Sequence, residues 1–291
     1  MTRLQSARLH ARPRRSMSRA MAFEKISSTP PRPRPMGRVN WLGLWTLYRK
    51  EVMRFVNVFT QTLAAPVVTA LLFFAIFNLA LGRAAPAWED VTYEEFLAPG
   101  LIMMTLVQNA FANTSSSILI SKVQGNIVDV LMPPLAPWEL TVGFAMGGVS
   151  RGLVVAVAVL IGLLPFAPID IHSPLIAIYF AFMASLMLSL LGMIGGIWAE
   201  KFDHIAAVTN FVITPLSFLS GTFYSLDRLP ENWHIAAHIN PFFYMIDGLR
   251  YGFTGYSDGD VLVGALLVLL VNVGLFAWAH RMMATGYKLK A

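Results

Sequence analysis

The chain contains no cysteine in its 291 residues, and only 13% of them are charged. The missing thiols exclude disulfide bonds, cysteine-held iron–sulfur clusters and thiol catalysis. Soluble domains carry about 25% charged residues, whereas this chain is 56% hydrophobic with a mean hydropathy of +0.60. The composition therefore predicts a membrane protein.

Several motifs that mark enzymes are also missing. There is no Gly-Lys pair anywhere, so the chain has no G-x-x-x-x-G-K-[ST] loop for a nucleotide phosphate. H-E-x-x-H is absent, and the only Ser-Gly pair lacks the preceding glycine of a G-x-S-x-G serine site. His234 and His238 are four residues apart without a third ligand, which favours ordinary histidines over a metal site. We expect no catalytic residue, no metal and no cofactor bound by this chain.

Six mostly apolar runs have the length of about 20 residues that a membrane-spanning helix needs. They are Val58 to Leu81, Phe96 to Ile120, Leu140 to Leu164, Pro174 to Trp198, Ile205 to Tyr224 and Val261 to Arg281. A seventh candidate, Trp233 to Leu249, contains Pro241 and Asp247, and a carboxylate at mid-bilayer costs about 2.5–3.5 kcal/mol. We therefore predict one or two short re-entrant helices there, buried in protein. Asp247 and Arg250, three residues apart, predict a local ion pair.

The basic residues predict the orientation of the six spans. With the N terminus in the cytosol, the outer segments hold only Arg83, Arg228 and Arg250, while Arg151 lies inside a span. A seventh span would place the basic tail, residues 282–291, outside. The net charge of +6 thus indicates orientation, with both termini cytosolic, rather than a nucleic-acid surface.

Two segments precede the first span. Residues 1–38 are rich in Arg, Ser and Pro and have no apolar run, which predicts a disordered cytosolic leader. An organellar transit peptide, or a start codon assigned too early, are the alternatives. Val39 to Asn57 places Arg49, Lys50 and Arg54 beside a stripe of aromatic and aliphatic residues, which predicts an interfacial amphipathic helix.

A short polar break, residues 121–139, separates spans two and three. Ile127, Val130 and Leu131 fall at helical spacing within it and predict a short amphipathic helix, which two consecutive prolines stop. Glu139 begins the next helix, where a carboxylate suits the positive end of the helix dipole. A partner that pushes on such an element would move both spans. An ordinary interhelical loop is the alternative.

Two of the apolar spans carry polar residues along one face, at intervals of three and four. These residues are Thr105, Asn109, Asn113 and Ser116 on span two, and Asn210, Thr214 and Ser217 on span five. The two stripes suggest two walls of a cavity that lines a transport pathway. Hydrogen bonding within a static bundle is the alternative. Arg151, halfway along span three, should face protein or water rather than lipid.

Three blocks in this order resemble the type-2 ABC export permeases, the membrane subunits of exporters of drugs, lipid-linked glycans and polysaccharides. The blocks are EFLAPGLIMMTLVQNAFANTSSSI, QGNIVDVLMPPLAPWEL, and PLSFLSGTFYSLDRLPENW with INPFFYMIDGLRYG. The resemblance runs from Trp41 to Tyr287 and implies a six-span half-transporter. It also implies a connecting helix at Val39 to Asn57, a coupling helix at Gln124 to Met132, and re-entrant helices at Leu226 to Tyr251.

The resemblance further implies partners. In the family, two permease subunits pair, and each docks a separate ATPase subunit that binds ATP and Mg; we expect a second copy of this chain in that role. The helix would sit in a groove of the ATPase, and the implied coupling residues are Gln124, Gly125, Ile127, Asp129, Val130 and Leu131. Many relatives have Gly-Thr-Leu-Glu where this chain has Gly125-Asn126-Ile127-Val128, with the acid one residue later.

The sequence thus predicts an all-α membrane protein, the permease of an ATP-driven exporter of amphipathic or hydrophobic molecules in a bacterial inner membrane. An ion-coupled secondary transporter is the alternative. It would require paired intramembrane carboxylates and an inverted repeat, and no span has a central Asp or Glu. An intramembrane enzyme would require a nucleophile–base pair, which is not recognisable here.

Overall fold

The computed structural model describes residues 37–82, 91–224 and 240–289, and the statements below concern these ranges. The chain divides into two units, Met1–Arg38 and Val39–Ala291, and the predicted leader lies almost wholly outside the described residues. The elements of the second unit are helical: α1 (Trp41–Val56), α2 (Phe59–Leu81), α3 (Tyr93–Val123), α4 (Ile127–Leu131), α5 (Pro137–Leu163), α6 (Pro174–Trp198), α7 (Phe202–Val208), a π-helical turn (Thr209–Ile213), α8 (Thr214–Leu219), α9 (Pro241–Thr254) and α10 (Val261–Thr285).

Six helical segments in the described ranges are long and apolar enough to cross a membrane: α2, α3, α5, α6, the run from α7 to α8, and α10. The six predicted spans are therefore confirmed by length and composition. Span two is longer than predicted, because the Thr92 hydroxyl and the Glu95 carboxylate cap each other's backbone N–H groups at its start. At 31 residues, α3 is about 46 Å long, which exceeds the hydrocarbon core of about 30 Å.

The centre of the bundle is the pair α3 and α6. A side chain at Gly192 of α6 would place its Cβ 2.5 Å from the Phe111 carbonyl oxygen of α3, so only glycine permits this approach. Thr114 and Ser189 share a hydrogen bond of 2.6 Å, and Ser189 donates to the Ala145 carbonyl of α5 at 2.9 Å. Helices in a membrane associate through this kind of close packing and interhelical hydrogen bonding.

Span five is interrupted, although the sequence predicted a continuous helix from Ile205 to Tyr224. Pro215 has no N–H, so the Phe211 carbonyl loses its usual helical partner, and the π-helical turn Thr209–Ile213 lies immediately before α8. The segment α7 contains no buried residue. This half of span five therefore packs loosely.

Helix α9 occupies part of the predicted re-entrant region, while residues 225–239, including His234 and His238, lie outside the described ranges. With 14 residues, α9 is too short to span a bilayer. The predicted local ion pair is wrong, because the carboxylate within ion-pair distance of Arg250 is Asp258, at 3.8 Å. Asp247 instead accepts the backbone N–H groups of the loop that follows α9.

Candidate coupling site

The apolar stripe of α4 faces the bundle. Ile127 is 7% exposed, and Val130 and Leu131 are half-buried against the same apolar cluster, which includes Leu140 and Phe144 of α5. The bundle therefore covers much of this face, and the insertion of α4 into a groove of the ATPase, which the resemblance implies, stays a prediction. The role of the segment in coupling remains a prediction.

The opposite face of α4 is open. Val128 is 55% exposed and Met132 is 76% exposed, with Asp129 exposed between them. Gln124 and Gly125, in the turn before α4, are also exposed; Gly125 has a φ of 75°, which favours glycine. Exposed apolar side chains at a loop, rimmed by polar ones, are typical of a protein contact.

A buried carboxylate connects the end of the coupling segment to the start of α1. Glu139 is 2% exposed and accepts the N–H of Ala136 at 2.7 Å, as predicted for the start of a helix. Its second oxygen accepts the N–H of Asn40, also at 2.7 Å. The Asn40 amide nitrogen donates to the Pro134 carbonyl at 3.2 Å. Movement of the coupling segment must therefore carry the start of α1 with it.

The far end of α1 is joined to the middle of α3. Glu51 is fully buried; it accepts a hydrogen bond of 2.7 Å from Ser117 and lies 3.6 Å from the Arg54 guanidinium. That guanidinium donates to the Ser116 hydroxyl at 3.0 Å, and to both the side-chain oxygen, at 2.9 Å, and the backbone oxygen of Asn113. Burial lowers the pKa of Arg54, and Glu51 opposes that shift. A buried carboxylate needs such partners, and these contacts hold α1 against α3.

A groove of about 800 Å³ lies between α1, the end of α3 and α4. Its wall includes three of the implied coupling residues, Gln124, Asp129 and Val130, and two members of the buried network, Arg54 and Ser117. The structure thus brings the predicted coupling residues Gln124 and Asp129 and the charged end of α1 to one surface.

The polar stripe of span two is largely occupied by these contacts. Thr105 donates to carbonyls of its own helix, and Asn109 accepts a hydrogen bond of 3.1 Å from Arg151. Asn113 and Ser116 hold Arg54. The prediction that Arg151 faces protein is confirmed. The prediction that this stripe lines a pathway remains a prediction.

The polar stripe of span five points elsewhere. Asn210 is exposed, Thr214 is half-buried, and Ser217 is buried and donates to the Ile213 carbonyl. A cavity of about 630 Å³ between spans four, five and six is lined by a different face of span five, including Val208 and Val212. The chain therefore does not bring these residues and the span-two stripe together around that cavity, because the π-helical turn rotates the faces of α7 and α8. A pathway role for this stripe also remains a prediction.

Glu51 is a residue of this network that was not predicted from the sequence. Leu47, Glu51 and Phe55 are the buried residues of α1, at intervals of four. A carboxylate at a position where the helical period requires an apolar residue was the available signal.

These features define a helical membrane protein with six candidate spans and an amphipathic element between spans two and three. A profile described as "ABC-2 type transporter" matches residues 43–254, so the chain belongs to the ABC-2 type transporter family, which confirms the resemblance.

Curated relatives match over most of their length. The chain is similar to the inner membrane transport permease YadH of Escherichia coli strain K12, with 38% identity over 246 residues, 84% of this chain and 96% of the relative. It is also similar to nodulation protein J of Rhizobium leguminosarum bv. trifolii, with 25% identity over 251 residues, 81% of this chain and 90% of the relative.

Proposed function

We propose that this chain is the transmembrane permease of an ATP-driven exporter in a bacterial inner membrane. It works with a separate ATPase subunit, which binds ATP and Mg, and with a second copy of itself. Family membership and the name of the permease relative support this proposal. The observation that carries it is the outward face of α4, where Val128 and Met132 are exposed at a loop that holds both α3 and α5.

A push on α4 reaches the bundle by two routes. One route is the chain itself, through the end of α3 and the start of α5. The other runs through Glu139 and Asn40 into α1, and from Arg54 into the Asn113 turn of α3. Both routes reach α3, the helix that carries the polar stripe of span two. ATP-driven movement of the partner would therefore shift the populations of two bundle conformations that open to different sides.

The proposed cargo is amphipathic or hydrophobic, since hydroxyl and amide groups at intervals along apolar helices suit such molecules. The end of the bundle that carries α4 faces the cytosol in this proposal, and the basic residues near that end, which include Lys122, Lys201 and Lys288, support this orientation. Vesicles that contain labelled lipids or dyes would identify the substrate class.

The test replaces Val128 and Met132 with Asp in a chain that is co-expressed with its ATPase. We expect the double variant to insert normally but to lose ATPase binding and transport, because two charges would be desolvated in the contact. Ile171→Asp is the matched control, since Ile171 is 49% exposed in the loop between α5 and α6. Normal ATPase binding by the double variant, or uphill transport by the chain without any ATPase, would contradict the proposal.

A further inference from the structure

The cavity between spans four, five and six has features of a ligand site that the proposed coupling does not use. Its volume of about 630 Å³ falls within the range of about 300–1,000 Å³ that is typical of small-molecule sites. Aliphatic side chains form much of its wall, including Leu191 and Ile194 from α6 and Val208 and Val212 from span five. The helix α7, which has no buried residue, contributes Val208 to one side of the cavity.

The cavity lies at the end of the bundle that carries α4. Lys122, at the end of α3, donates to the carbonyls of Ile197 and Ala199 at the end of α6. Trp198 at the end of α6 and Trp278 and Tyr287 near the end of α10 line the same cavity. Trp and Tyr are the residues that concentrate at the level of lipid headgroups.

One charged side chain, Arg281, is part of the cavity wall. It is exposed, and within the described ranges its guanidinium makes no hydrogen bond or ion pair with another residue. The wall is therefore apolar over most of its area, with a free positive charge at the headgroup end.

We propose that this cavity binds an anionic membrane lipid, with an acyl chain between spans five and six and its phosphate on Arg281. An acyl chain that fills an apolar cavity gains dispersion contacts with its wall. A guanidinium binds phosphate oxygens through charge-assisted hydrogen bonds. The bound lipid would determine how far span five lies from α6 and α10.

The first experiment measures lipid retention by the purified full chain in detergent, using native mass spectrometry with phosphatidylglycerol and phosphatidylcholine. We expect retention of phosphatidylglycerol, and we expect Arg281→Gln to lower the preference for it over phosphatidylcholine about tenfold, since one charge-assisted contact is lost. Glycerol phosphate, which has the headgroup charge but no chain, should not compete. Equal competition by glycerol phosphate, or an unchanged preference in Arg281→Gln, would overturn the proposal.

The second experiment fills the cavity. A Cβ at Gly195 would make only ordinary contacts, at 3.6 Å to Ile205 and 3.7 Å to Phe111, so Gly195→Leu should fold and occupy the space of the acyl chain. Gly274→Leu is the matched control, because nothing lies within 4 Å of a Cβ there. We expect Gly195→Leu to abolish lipid retention and Gly274→Leu to preserve it. Val212→Phe replaces Gly195→Leu if that variant does not fold, and equal retention in filled and control variants rejects the site.

Discussion

Two parts of the bundle differ sharply in packing. In the most apolar stretch of α3, 83% of the residues are buried, while only 11% are buried in the corresponding stretch of span five. Both spans contain Ser, Thr and Asn, so polarity does not explain the difference. The core pair α3 and α6 has glycines and hydroxyls at its contact, whereas the contacts of α7 are few. Dense contact resists local opening, and sparse contact permits it.

Span five is nevertheless held at one end. Arg250 of α9 is fully buried, donates to the Gly221 carbonyl at 2.6 Å, and lies 3.7 Å from the centre of the Phe96 ring of α3. The C-terminal end of span five is thus held to the core, and the half near α4 is loose. An element held at one end is suited to hinge movement. This contrast leads to three predictions.

The largest effect is expected where α1 joins the rigid core. Glu51→Gln removes the buried charge that neutralises the Arg54 guanidinium, whose side chain is 29% exposed, so the cost should approach but not exceed about 3 kcal/mol, the lower end of the range for a fully buried pair. We expect a large drop in thermal stability in detergent and loss of coupling between α1 and α3. Chemical unfolding in detergent, monitored by Trp fluorescence, measures the loss of stability.

Lys50→Gln is the control for Glu51→Gln, because the Lys50 side chain is 48% exposed and lies 3.9 Å from the same carboxylate. An exposed pair of this kind contributes at most about 1 kcal/mol. Replacing both Glu51 and Arg54 with Gln should recover part of the loss. Equal losses in the Lys50 and Glu51 variants would show that the buried network does not join α1 to the core.

A second prediction compares two glycines on one helix. Gly192→Ala should destabilise the protein by about 1–3 kcal/mol, because its Cβ would meet the backbone of α3. Gly195→Ala, three residues later, faces the loose region and should have no such cost. Thermal unfolding of the two variants checks this, and similar midpoints would mean that the two faces of α6 are equally packed.

The sequence predicted the number of spans and the short helix α4 well, because apolar length and helical period act locally. It did not predict which face of α4 is free, since Ile127 packs on α5 residues that come later in the chain. It also missed the contact of Glu139 with Asn40, which are 99 residues apart. The break in span five was not predictable from Pro215 alone, because Pro66 in α2 and Pro99 in α3 lie inside helices that continue past them.

The smallest of the three effects concerns Asp247, which lies on α9, the helix whose Arg250 holds the C-terminal end of span five. Burial raises the pKa of Asp247 from its ordinary 3.8 to about 6, although Arg250 and the backbone N–H groups of Asp258 and Gly259 oppose that shift. The folded protein therefore binds more protons than the unfolded chain between these two values. The stability from this group is complete below about pH 3.8 and is lost as the pH rises through 6, with a slope of roughly 1 kcal/mol per pH unit.

Asp247→Asn does not titrate, so the difference in unfolding midpoint between wild type and variant should change between pH 4 and 6.5 and become constant above that range. Asp260→Asn, which alters an exposed N-cap of α10, is the control for titration elsewhere. If the unfolding midpoints of wild type and Asp247→Asn change in parallel with pH, the stability does not depend on the protonation of this carboxyl group. A change confined to this window would mean that the protonation of the buried Asp247 carboxyl group contributes to the stability of this part of the fold.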